Sequence, residues 1–147
     1  MKKRSQRLQK IVALAEAEER NLGILTGRSQ GLLNEEKTRL GELNAYRQSY
    51  AQKAGFSTEL SSAHLKDYQR FLARLDQAVR AQQQVVLNCE QSAEMHRRRW
   101  MVKRQRVDSL ERVQERYHKQ EQQDAERAEQ RELDDLPNAP EIYSEDP

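Results

Sequence analysis

Alternate steps of three and four residues from Leu8 pass through Leu8, Ile11, Ala15, Glu18, Leu22, Leu25, Ser29, Leu32, Glu36, Arg39, Leu43, Tyr46 and Tyr50. Nine of these thirteen positions are apolar, which predicts an amphipathic helix with a heptad seam over residues 4–53. Gly23, Gly27, Gly31 and Gly41 each cost such a helix about 1 kcal/mol relative to Ala, so it depends on a packing partner. The stretch Ala54-Gly55-Phe56-Ser57-Thr58 interrupts the pattern. Gly55 suits a left-handed helix terminus, and Ser57 or Thr58 can cap a following helix. A second seam then runs Leu65, Tyr68, Leu72, Leu75, Val79, Gln82, Val86, Cys89, Ala93, His96, Trp100, Lys103, Val107, Leu110, Gln114 and Tyr117, with twelve of sixteen positions apolar. It predicts a longer helix over residues 59–135.

Two amphipathic helices joined by a short connection predict an all-α fold, an antiparallel coiled-coil hairpin forming one domain over residues 1–135. A continuous or dimeric coiled coil kinked at residue 55 is the alternative. A reversal at 54–58 places residue i opposite roughly 111 − i to 114 − i. The second helix then overhangs from residue 111 to 135, without an intramolecular partner, and alone would fray. Residues 136–147 (LPNAPEIYSEDP) read as a disordered acidic tail.

Composition agrees with a thin rod. Of 147 residues, 35% are apolar and 34% charged, against about 45–50% and 25% in ordinary domains. That is too few apolar side chains for a compact core and enough for a seam. All three prolines lie at positions 137, 140 and 147, so nothing before them breaks a helix. A single cysteine, Cys89, excludes a disulfide within the chain. The longest apolar run, Ile11–Ala15, is five residues where a bilayer span needs about 20. The basic N-terminus lacks the apolar core of a secretory leader, and the expected location is cytoplasmic.

The net charge of +2 conceals a polarity. Residues 1–107 hold 21 Lys and Arg against 11 Asp and Glu, whereas residues 108–147 hold 5 against 13. Lys2, Lys3, Arg4, Arg7 and Lys10 lie at one terminus, and Arg97, Arg98, Arg99, Lys103, Arg104 and Arg106 lie in a stretch without an acid. The hairpin arithmetic brings both sets to one end, a surface suited to an acidic partner. Phe71, with Leu75, Ala78 and Gln82, traces an i, i+4, i+7, i+11 line that reads either as a stripe turned away from the first helix or as a broadened seam. Catalytic chemistry finds no foothold. His64, His96 and His118 are scattered, no metal-ligand spacing or phosphate loop occurs, and neither enzyme activity nor a metal or cofactor is expected.

The run Tyr68-Gln69-Arg70-Phe71-Leu72-Ala73-Arg74-Leu75-Asp76-Gln77-Ala78-Val79 resembles the Y-Q-x-F-[LI]-x-x-L-[DE]-x-A-[IV] block that follows the turn in the FliJ family of bacterial flagellar type III export. The order of landmarks is similar too: Leu8, Ile11, Leu14, Ala15 and Glu16 after a charged start, the Tyr46/Tyr50 pair, and Trp100 after Arg97, Arg98 and Arg99. The resemblance covers about residues 1–135. It implies a two-helix antiparallel coiled coil similar in architecture to the rotary γ subunit of F-type ATPases. Such a protein enters the pore of the hexameric flagellar export ATPase, promotes ring assembly, contacts the membrane export-gate protein and handles export substrate chaperones. By that resemblance Phe71, Leu75, Ala78 and Gln82 contact the gate, while Arg4, Arg7, Leu8, Ile11, Arg98, Arg99 and Arg104 contact the ATPase ring. Membrane association would be peripheral, through protein partners. Two other functions remain open on the residues alone: a basic coiled coil that binds nucleic acid, and a spacer that dimerises through residues 111–135.

Overall fold

The computed structural model of the chain describes residues 3–56 and 62–137, with the side chains of 54–56 left aside. Two α-helices account for almost all of it: α1, Arg4–Phe56, and α2, Ser62–Asp135. At 53 and 74 residues they measure about 80 and 110 Å. No strand occurs among the described residues. Backbone continuity follows from the lack of proline, and α1 passes through Gly55 to Phe56 instead of turning at that glycine. The expected caps Ser57 and Thr58 and the tail residues 138–147 lie outside the described residues. At its other end α2 closes where the Leu136 amide donates to the Leu133 carbonyl at 3.4 Å, just before Pro137.

Contacts divide the chain into two units, Ala17–Arg104 and Met1–Glu16 with Gln105–Pro147. In the first, the Trp100 indole donates to Glu19, the Gln82 amide to Glu36, and the Tyr68 hydroxyl to the Tyr50 carbonyl. The two helical segments of this unit therefore run antiparallel. Leu33, Leu75, Val79, Val86 and Ala93 are its buried apolar residues, with Leu40 and Cys89 packed beside Leu33, Val86 and Ala93.

On α2 the buried positions follow the seam read from the sequence from Tyr68 onward, whereas Leu65, expected at its start, is 45% exposed. On α1 every second seam position shifts by one residue. The inward line is Glu19, Leu22, Thr26, Ser29, Leu33, Glu36, Leu40, Leu43 and Tyr50. Leu25, Leu32 and Tyr46, expected inside, are 42%, 50% and 53% exposed, and Leu33 is buried in place of Leu32. Register shifts as well. Glu36 meets Gln82, where the arithmetic from a turn at 54–58 placed it opposite 75–78. Residues 54–56 prolong α1 past the expected turn, and the register shifts accordingly.

In the second unit Val12, Ala15 and Val107 are buried and Leu8, Leu110 and Tyr117 half-buried, while Ile11 is exposed. The Ser5 hydroxyl and amide both donate to the Glu121 carboxylate, and the Arg4 guanidinium lies 6.0 Å from the Tyr117 ring centroid. Partners thus extend to Glu121, and the expected unpartnered stretch begins after it instead of at residue 111. From 122 to 137 every residue is exposed.

Candidate interaction surfaces

Phe71 is held by α1. Its ring lies 4.5 Å from that of Tyr50 and 6.3 Å, nearly edge-on, from that of Tyr46, and Tyr50 stacks on Tyr68 at 5.1 Å. Of the two readings of Phe71, the structure supports the broadened seam: the side chain faces the first helix at its margin, where it is half-buried. Leu75 is buried, Ala78 half-buried, and Gln82 donates to the Glu36 carbonyl at 3.0 Å and to its carboxylate. The four residues of the stripe therefore divide, with Leu75 and Gln82 turned inward and Phe71 and Ala78 at the edge.

The cations divide too. Arg97 and Arg98 reach the Glu94 carboxylate at 3.3 and 3.0 Å. The Arg98 hydrogen bond, then that of Arg97, holds the Glu94 carboxyl below its usual range. Lys103 pairs with Glu18, and Arg104 lies 3.6 Å from Glu19 and 5.7 Å from the Trp100 ring centroid. Arg99 is exposed and makes no ion pair among the described residues. These residues, Arg106 apart, sit in Ala17–Arg104, whereas Arg4, Arg7, Leu8 and Ile11 belong to the other unit.

Around Trp100 the seam is polar and tightly fitted. The indole Nε1 donates to Glu19 at 2.9 Å, and a Cβ added at Gly23 would stand 3.2 Å from that nitrogen. Two turns along α1, Ser29 Oγ lies 2.6 Å from His96 Nδ1 and the Thr26 hydroxyl donates to the Leu22 and His96 carbonyls. These polar layers, with Glu36–Gln82, were not foreseen. Along one helix they are breaks in the apolar seam, and only the opposing helix shows that each has a partner. Among the described residues no three His, Cys, Asp or Glu side chains gather as a metal site, and no helix is long and apolar enough to cross a membrane.

The family described as Flagellar FliJ protein matches residues 4–138, so the chain belongs to it. Membership makes the chain a component of the flagellar protein export apparatus. No curated protein and no solved structure matches it.

Proposed function

We propose that this FliJ-family chain is the coiled-coil axle of the export apparatus, a single antiparallel hairpin that docks into the hexameric export ATPase and promotes assembly and activity of the ring. In this reading it couples the ring to the membrane export gate, escorts substrate chaperones, and resides in the cytoplasm or peripherally at the inner membrane through protein partners. Phe71, Leu75, Ala78 and Gln82 form the gate contact. Leu75 and Gln82 anchor α2 against α1, and Phe71 with Ala78 presents the accessible edge. Arg4, Arg7, Leu8, Ile11, Arg98, Arg99 and Arg104 form the ring contact.

The observation that carries the reading is Phe71 held half-exposed on a tyrosine platform, beside the half-exposed Ala78. A rigid aromatic at an accessible edge costs little entropy to bind. Binding of the purified chain to the gate's cytoplasmic part tests it. Phe71→Ala weakens binding about tenfold or more and reduces export while helicity is retained. Unchanged binding refutes the gate assignment. Tight retention on DNA at physiological salt, with a steep salt slope, supports the nucleic-acid alternative instead.

A further inference from the structure

The two edges of the helix pair in Ala17–Arg104 differ in kind. One is polar, with Gln30, Lys37 and Asn44 of α1 against Gln83, Glu90 and Arg97 of α2, and Lys37 lies 3.9 Å from Glu90. The other carries Leu25, Leu32, Arg39 and Tyr46 every seven on α1, with Arg39 drawn to Glu36, and Phe71, Ala78, Val85 and Ser92 every seven on α2. Leu32 and Val85 border one depression between the helices, and Tyr46 touches Phe71. Leu25, Leu32, Tyr46 and Val85 are 42%, 50%, 53% and 39% exposed. Flanking positions of an isolated two-stranded coil are ordinarily charged, so an apolar edge marks a pair that packs further.

We propose that this edge is a self-association surface on which a second copy of the chain docks face to face, forming a four-helix dimer with α1 of each copy over α2 of the other. Steric and electrostatic complementarity both favour a second copy. At three of the four levels the α1 residue is larger than the α2 residue it faces across the two-fold, Leu25 over Ser92, Leu32 over Val85 and Arg39 over Ala78, while at the fourth Tyr46 meets Phe71 as ring against ring. On the outer rim at one level stand Glu42 and Arg74, both exposed and neither in an ion pair among the described residues, and the same rotation brings Glu42 of one copy to Arg74 of the other twice over. A face spanning residues 25–46 is about 32 Å long, and two helices of that length cover about 1,200 Å² in total, at the lower end of specific interfaces. The dimer is accordingly reversible. It covers Phe71 and Ala78, so self-association and the proposed gate contact exclude one another, and in that respect the inference builds on the gate reading.

Sedimentation equilibrium of the full chain from 1 to 500 μM, as trial concentrations of about the strength expected for so small an interface, tests the surface. The expected result is a monomer–dimer equilibrium that Leu32→Glu with Val85→Glu weakens about tenfold or more, with circular dichroism unchanged. Glu42→Arg alone and Arg74→Glu alone each weaken the dimer, and their combination restores it. A monomer at all concentrations overturns the proposal, as does a dimer indifferent to these changes and sensitive to Lys37→Glu on the polar edge. If the dimer is absent while Phe71→Ala still loses gate binding, only self-association falls. If the dimer forms and Phe71→Ala leaves gate binding intact, only the gate reading falls.

Discussion

Gly23 and Trp100 fit together: the indole of one lies close against the bare Cα side of the other, with Nε1 only 3.2 Å from where a Cβ would stand. The same indole donates to Glu19, one turn earlier on α1. A glycine that costs helix stability is thus used for a close approach.

The glycines of α1 consequently separate on substitution. Gly27, Gly31 and Gly41 face open space, so each change to Ala raises stability by about 1 kcal/mol. Gly23→Ala gains less than this or loses, because the indole must move by a few tenths of an ångström. Urea unfolding followed by circular dichroism ranks the four, and equal gains at all four contradict the close fit.

Glu36 is buried, 7% exposed, between Gln82 and Arg39. Gln82→Leu removes the donor from a buried carboxylate and destabilises by about 1–3 kcal/mol. Combining it with Glu36→Leu recovers much of the loss, since two apolar groups leave nothing unsatisfied. A double-mutant cycle checks the coupling, and strict additivity argues against the contact.

Ser5 sets the titration of Glu121. Its hydroxyl hydrogen bond holds the Glu121 carboxyl below the ordinary carboxylate value of 4.5, against a smaller opposing effect of burial. Because the folded value is the lower one, the stabilisation is complete above the unfolded value and disappears as pH falls through the folded value. Carbon-detected NMR titration shows Glu121 ionising below neighbouring exposed glutamates, and Ser5→Ala moves it back up. An unmoved Glu121 titration rules out this contact.

Ring docking is best probed at Arg98 and Arg99. Arg104 engages Glu19 and Trp100, so reversing its charge disturbs the seam, while Arg98 and Arg99 project from the surface. Arg98→Glu with Arg99→Glu is expected to lower stimulation of the export ATPase several-fold without changing the melting temperature by more than about 2 °C. Full stimulation by this variant removes both residues from the proposed contact.

The helical class, the α2 seam and the family were all legible in the residues. On α2 the seam recurs at Tyr68, Leu72, Leu75 and Val79 and again at Val86, Cys89 and Ala93, so one phase fits even through the Val85-Val86-Leu87 triplet. On α1 the doublets Ile11-Val12 and Leu32-Leu33 fit two phases equally, and the correct one takes Thr26 in place of Leu25, which looks like an error until His96 is seen opposite, just as Ser29 and Glu36, common to both phases, look like errors until His96 and Gln82 are. Register depends on where the chain reverses, and Gly55 advertised a stop that the helix ignores. Phe71 was ambiguous for a related reason: its binding surface is made by Tyr46 and Tyr50, about twenty positions away in the chain.

Antiparallel pairing of residues 17–56 with 62–104 underlies the Phe71 platform, the apolar edge and the polar layers alike. Electron–electron dipolar spectroscopy on nitroxides at Asn34 and Gln84, both exposed, measures it directly. Packed helices at ordinary spacing predict about 20–30 Å, shorter than the separation from Asn34 to a label at Gln77. A separation beyond about 60 Å, or a shorter distance to Gln77 than to Gln84, contradicts the pairing and its register.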